Sequence, residues 1–323
     1  MNKSLAQVSP GTEKLRKKNA LWSYIKMNYD MYLLLIPSLL FILVFDYLPL
    51  YGITLAFKDF NMFAGSNPFM SIIHSPWVGL EHFRNIFGMA DFYKVLSNTL
   101  IISIYKLVFL FPLPIMLAIL LNELHLAVFK KVLQTILYLP HFLSWAVVSG
   151  IFVTLLGSTG IVNNFLSAVF GHPINFLMDT SLFRSVLVVT DGWKEIGWSS
   201  IIYLAAITGI DQEQYEAATV DGANKLQKMV YITIPGISST IILLLILKIG
   251  HILNAGFEQI FIMYNPTVYE VADIIGTYIY RVGLGQMNFS LGTSMGLFNS
   301  VVAFILIVGF NRLARKFMGK SIW

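Results

Sequence analysis

The chain has 323 residues, 56% of them hydrophobic and only 12% charged, where an ordinary soluble protein is about 25% charged. With a mean hydropathy of +0.71, this composition excludes an ordinary soluble domain, and the absence of cysteine excludes disulfides, thiolate metal sites and cysteine nucleophiles. The net charge of +5 is assigned to membrane topology rather than to a nucleic-acid partner, because the basic residues fall in a pattern along the chain.

Residues 1–30 carry six Lys and Arg, and the stretch KLRKKNALWSYIKMNYD mixes basic and aromatic side chains. It is either a helix lying on the inner membrane surface or a basic tail that only sets orientation. No small-residue cleavage site follows the first apolar run, so a signal peptide is not expected. Six apolar stretches are long enough to cross a bilayer, which needs about 20 residues: 31–55, 97–121, 133–157, 182–207, 237–256 and 291–310. The first holds Pro37 and Pro49 and is expected to break near Asp46; the second holds Pro112 and Pro114. Between them, residues 58–96 read as a small ordered outer cap.

Lys and Arg number six in 1–30, two in 122–132, two in 209–236 and four in the tail after 310, against Lys58, Arg84, Lys94 and Arg281 on the opposite loops. Positive charge marks the cytoplasmic side, so both termini and the 209–236 loop are expected inside. The predicted organisation is a basic N-terminal segment (1–30), one all-α transmembrane domain (31–310) and a cytoplasmic tail (311–323).

Charged groups inside a membrane cost about 2.5–3.5 kcal/mol each, so they tend to face a cavity or each other. Asp191, Lys194, Glu195 and Trp198 share one face of the fourth span at spacings of three and four. Lys248, His251, Asn254 and Glu258 form a second stripe on the fifth. Trp193 and Trp198 supply the aromatic planes that carbohydrate sites use, and Lys194, Lys248 and Arg281 would suit an anionic sugar. Asp191, Trp193, Lys194, Glu195, Trp198, Lys248, His251 and Asn254 are therefore the candidates for a substrate path. The competing reading is that the acids pair with Lys194 or Lys248 and only bind the bundle together.

Between the fourth and fifth spans lies a polar island, EQYEAATVDGANKLQKMVYITIP. Asp211 with Gln214 three residues on has the spacing of a capping box. Gly222 can take positive φ and stop the helix. NKLQKMVYI then leads to Pro235, which suits the first turn of the next span. The result is a helix–turn–helix with a small-residue middle, a docking surface rather than a catalytic site.

These residues resemble the EAA motif of ABC-importer permeases: Glu216, Ala217 and Ala218, three residues, Gly222, nine residues, Ile232, one residue, then Ile234 and Pro235, with Ile234 in place of leucine the only departure. Further stretches, including YLPLYGITLAFKDF, SPWVGLEHFRNIF and GFEQIFIMYNPTVYEVADIIGTYIYRVGL, are similar to the oligosaccharide and polysaccharide branch of the carbohydrate permeases and, within it, to the permeases of alginate importers. The resemblance implies a type I importer fold in the bacterial inner membrane. It also implies a second and different permease, two ATP-binding subunits that hold ATP and Mg, and an extracytoplasmic solute-binding protein. Glu216, Ala217, Ala218, Asp221, Gly222, Ile232 and Pro235 would carry the coupling to the ATPase.

No cofactor, metal or catalytic residue is expected in the chain itself. ARKFMGKS at 314–321 has Ala314 where a phosphate-binding loop needs its first glycine, and it trails a membrane span instead of joining a strand to a helix. The six histidines lack metal-ligand spacing, and His141, after Pro140, reads as packed or interfacial. The rival readings are an ion- or proton-coupled secondary transporter, which should show paired repeats, and a membrane-embedded enzyme, which should show converging acid–base residues. Neither pattern is present.

Overall fold

The computed structural model describes Tyr24 and residues 26–319. The rest of the basic N-terminal segment and the last four residues lie outside this range, as does most of the 14–30 stretch expected on the membrane surface. The described residues form helices and turns, and their only β pairing is one isolated bridge between Lys58 and Trp77. The chain divides into residues 1–54 and 55–323.

In the first unit, α1 (Tyr29–Ile42) is apolar all round and exposed throughout, the signature of a helix whose surroundings are themselves apolar. At Leu43–Tyr47 it widens into a π-turn containing Asp46 and then tightens into the 3₁₀ stretch Leu48–Phe57. This is the break the sequence predicts there: Pro49 has no N–H for the helical ladder, and its ring crowds the carbonyl four residues back.

The second unit opens with the segment expected to form a cap. Its helices are α2 (Pro68–His74), capped by the Asn67 side chain on the Met70 amide, and α3 (Glu81–Gly88). The Lys58 ammonium ties the cap together by donating to the carbonyls of Ile72 and Ile73. The bundle follows as α4 (Ala90–Leu110), α5 (Pro112–Asn122), α6 (Ala127–Tyr138), α7 (Trp145–Leu156), α8 (Ile161–Phe170) and α9 (Phe183–Thr208). The 209–236 loop holds α10 (Gln212–Val220) and α11 (Lys225–Lys228), and after it come α12 (Ser238–Gly250), α13 (Phe257–Met263), α14 (Ile275–Ile279) and α15 (Phe289–Met318).

Among the described residues, four stretches are long and apolar enough to cross a membrane: Tyr29–Phe57, Ala90–Asn122, Trp145–Phe170 and Phe289–Lys316. A fifth arises if Lys225–Gly236 and Ser238–Gly250, which meet at 60°, are taken as one span. Three of the six predicted spans are revised. The 133–157 stretch is not one helix, because Leu139–Phe142 turns as 3₁₀ around Pro140 and α7 restarts at Trp145, capped by Ser144. The 237–256 stretch stops at Gly250, since Ala255 (φ 52°) and Gly256 (φ 84°) are both left-handed. The 182–207 stretch is a single 26-residue helix, about 39 Å long, but Arg184, Asp191, Lys194 and Glu195 keep it from being uniformly apolar.

α9 is the axis of the second unit and packs along α4, α5 and α6. Its approach to α6 is very close: a Cβ placed on Gly197 would fall 1.9 Å from the Leu137 carbonyl oxygen. Only glycine permits that distance, which brings the turn after α6, including His141, against the charged face of α9. One apolar core joins α4, α9 and α13 through Ile102, Phe183, Leu187 and Ile260. A second joins the cap to α14 and α15 through Ile86, Phe92, Ile275 and Met295. A third, of Ala118, Tyr203, Ile207 and Ile237, lies where α5 and α9 meet the start of α12.

Candidate functional site

The polar island folds as a helix–turn–helix. The Asp211 carboxylate caps α10 by accepting from the Glu213 amide at 3.0 Å. The capping box expected at Asp211 and Gln214 is absent, because that carboxylate is already satisfied one residue earlier. The box forms instead at the second helix, where Asn224 and Gln227 exchange bonds of 2.8 and 2.9 Å. Gly222 takes φ +77°, a left-handed turn that costs any L-residue about 1–2 kcal/mol. The two arms are held together by the Tyr215 and Thr233 hydroxyls at 2.9 Å and by the Lys228 ammonium on the Thr219 hydroxyl at 2.7 Å. Lys225 reaches Glu123 at the end of α5 at 3.5 Å, an exposed pair worth about 0–1 kcal/mol.

What these contacts leave outside is informative. Glu216, Ala217, Asp221 and Gly222 are exposed, Ala218 and Ile232 half-buried. Val220 is 88% exposed, and Leu226 and Tyr231 are exposed with it. A carboxylate, a small tip and three uncovered apolar side chains thus share one loop. Pro235 does not open α12 as expected. It sits in the short Ile234–Gly236 turn before the 60° bend, and α12 starts at Ser238. Lacking an amide proton, Pro235 cannot bond the Tyr231 carbonyl, and the helical path is already widened to a π-turn over Met229–Thr233.

The charged face of α9 meets two adjoining cavities, of about 260 and 380 Å³. Asp191, Lys248 and His251 line both; Asn254 lines the smaller, Glu195 and Trp198 the larger. Six of the eight substrate-path candidates are therefore brought together, and two are not. Trp193 is two residues from Asp191, about 200° round the helix, and packs edge-on against Phe152. Lys194 is buried, with its ammonium on the His141 carbonyl at 2.6 Å and 3.3 Å from Glu195. The helix break at His251–Gly256 also ends the expected stripe, leaving Glu258 exposed on α13 and outside both cavities.

The pairing reading holds for Glu195, which lies 3.3 Å from Lys194 as expected, and not for Asp191, whose partner is a different one. His141 Nδ1 lies 2.9 Å from Glu195, and its ring stacks on Trp198 at 4.5 Å with the planes 1° apart. Asp191 pairs neither with Lys194 nor with Lys248; it lies 3.6 Å from Lys106. Lys106 on α4 is the residue the sequence reading missed. Its buried ammonium also donates to the Ala255 carbonyl at 3.0 Å and to Gln259 at 2.5 Å, and Gln259 in turn donates to Thr190 and the Leu187 carbonyl. The Ser103 hydroxyl donates to the Ile252 carbonyl. Two α4 side chains thus take up carbonyls freed by the break after α12, as backbone interrupted at membrane depth requires. The available signal was a single cation in an otherwise apolar run.

The geometry bears on two further readings. Arg281, a candidate for anionic sugar, is 2.5 Å from Asp273 with its guanidinium over Tyr269 and Tyr278, outside both cavities. Residues 314–318 continue α15 as helix, and Gly319 ends it at φ +64°, so this part of ARKFMGKS forms no phosphate-cradling loop. Lys320 and Ser321 lie outside the described residues. No cluster of metal-ligating side chains occurs among the described residues.

A multi-pass helical bundle with a charged internal cavity and an uncovered helix–turn–helix between two of its helices is the plan of a transporter's membrane subunit. The chain belongs to the family of binding-protein-dependent transport system inner membrane components, whose profile matches residues 16–319; it is thus a multi-pass inner-membrane permease subunit of an ABC importer. It is 47% identical over 294 residues to Protein LplB of Bacillus subtilis, covering 91% of each chain. It is 44% identical over 312 residues to the polygalacturonan/rhamnogalacturonan transport system permease protein YteP of the same organism, covering 96% of this chain and 95% of that one. Among solved structures, it matches a chain of a bacterial ABC transporter involved in the import of the acidic polysaccharide alginate, with a TM-score of 0.84, 41% identity and coverage of 92% and 99%. It also matches a chain of the bacterial alginate transporter in complex with an alginate pentasaccharide-bound periplasmic protein, at a TM-score of 0.84 and 40% identity, covering 94% and 99%.

Proposed function

We propose that this chain carries oligosaccharides across the inner membrane by alternating access, as one of two different permeases driven by separate ATP-binding subunits and loaded by an extracytoplasmic binding protein. The observation that carries this is the 209–236 loop, which leaves Glu216, Val220, Leu226 and Tyr231 uncovered while its far end runs through the bend into α12 and the cavity. An ATPase cleft would take up that surface. The saccharide assignment is supported by the names of the relatives and by a cavity that pairs Trp198 with polar groups. ATP and Mg belong to the partner subunits in this reading. The secondary-transporter alternative gains nothing from the structure.

Reconstitution tests the proposal. In liposomes the isolated chain should neither hydrolyse ATP nor accumulate sugar under an ion or proton gradient. The full assembly should take up oligosaccharide only with ATP inside. Gradient-driven uptake by the chain alone would sink the proposal.

Orientation has its own test, since the chain contains no cysteine. Asp221→Cys and Ser66→Cys give single-thiol variants without background. A membrane-impermeant maleimide added to intact spheroplasts should label position 66 and leave position 221 unlabelled until the cells are opened. The reverse pattern would place the coupling loop outside and refute it.

A further inference from the structure

Lys248 differs from every other cation near the cavities. Lys106 is 6% exposed, and its donors are committed to the Ala255 carbonyl, Gln259 and Asp191. Lys194 is equally buried and engaged by His141 and Glu195. Arg184 donates to the Asn98 side chain and the Val271 carbonyl, and Arg281 is paired with Asp273. Lys248 lines both cavities, is exposed to them, and has no ion pair or hydrogen bond among the described residues. The acids do not compensate it: Asp191 is held by Lys106 and Glu195 by Lys194 and His141. The cavity therefore keeps one positive charge. An ammonium left uncompensated inside a membrane-spanning bundle calls for an anion.

We infer that Lys248 binds the carboxylate of an acidic saccharide at the junction of the two cavities, making it the residue that selects uronate-containing substrates over neutral ones. This rests on the saccharide-import reading above. Surrounding side chains supply the rest of a sugar site: His251 and Asn254 can hydrogen-bond hydroxyls and Trp198 offers an aromatic plane. The combined space falls within the roughly 300–1,000 Å³ of small-molecule pockets. Lys106 and Lys194, though nearer the core, cannot do this without abandoning buried partners.

The test uses the assembled transporter, purified without its binding protein, and measures equilibrium binding of trigalacturonate and of its fully methyl-esterified form, which keeps the rings and removes the charge. A charge-assisted hydrogen bond is worth about 1.5–3 kcal/mol, so the acid should bind wild type at least about tenfold more tightly than the ester. Lys248→Gln should abolish that preference while the complex keeps its size, and Lys248→Arg should retain it. Equal binding of acid and ester by wild type would overturn the inference, as would a preference that survives in Lys248→Gln. So would dissociation of the Lys248→Gln complex on size exclusion, which would assign the ammonium to a carboxylate on the neighbouring permease. ATP-driven uptake by wild type is measured in parallel: if no saccharide is taken up, the import reading fails and this inference with it, whereas uptake with an unaltered Lys248→Gln preference defeats the inference alone.

Discussion

Glu216→Ala and Gly222→Leu should separate ATP hydrolysis from transport while leaving the membrane fold intact. Glu216 is exposed and makes no hydrogen bond or ion pair among the described residues, so its removal should shift the stability of this chain by no more than about 0.5 kcal/mol. In the assembly its carboxylate would meet a donor on the ATPase, and losing a hydrogen bond to a charged group costs about 1.5–3 kcal/mol, roughly a tenfold to hundredfold weakening. Gly222→Leu acts differently, by forcing a bulky side chain onto a backbone at φ +77° and enlarging the tip. Substrate-stimulated ATPase of the reconstituted complex should fall to about a tenth or less in both variants, on the same free-energy arithmetic. The melting temperature of the isolated chain serves as the control. Full stimulated activity in both would remove this loop from the coupling path. A collapse of thermal stability in Glu216→Ala would mean that its role is internal.

Lys106→Met is expected to be the most damaging single change in the bundle. It leaves Asp191 without its 3.6 Å partner and strips a donor from both Gln259 and the Ala255 carbonyl at the helix break. Removing one member of a buried ion pair costs about 3–5 kcal/mol, because the survivor remains charged and unpaired. The yield of folded protein and the midpoint of thermal unfolding in detergent should both fall sharply. Lys106→Met combined with Asp191→Asn should recover part of the loss, because the double variant has no orphan charge. If the double variant is as unstable as the single one, the ammonium acts mainly on the carbonyl and Gln259 and the ion pair is incidental. If Lys106→Met is as stable as wild type, the network has no structural role.

The pattern of what the sequence disclosed has a physical basis. Local rules served well where local energetics decide. Gly222 turns where a left-handed residue is needed, Asp211 caps α10, and the first apolar run widens at Asp46 ahead of Pro49. The 3,4 spacing also placed Asp191, Glu195 and Trp198 on one face and facing a cavity. Partner choice was not local. Asp191 has cations three and 57 positions along the chain, yet it pairs with Lys106, because α4 lies against α9 and the break after Gly250 supplies the remaining acceptors. Hydropathy also hid the interruptions at Leu139–Phe142 and His251–Gly256. An apolar window looks the same whether its backbone is continuous or rebuilt by side chains from a neighbouring helix. Trp193 was drawn in by residue type alone, although its angular position already set it on the far side of α9.

The bend at Ile237 gives the segment from the 209–236 loop to Gly250 the form of a bell crank. One arm is the 209–236 loop and the other is α12, with Lys248 eleven residues, or about 16.5 Å, beyond the corner. Pivoting the second arm by about 10° would carry its Lys248 end roughly 2.9 Å, by the same helical rise, enough to stretch a hydrogen bond past its range. A stroke of the engine at the inner face would then loosen the grip on cargo directly, so that release requires no separate signal.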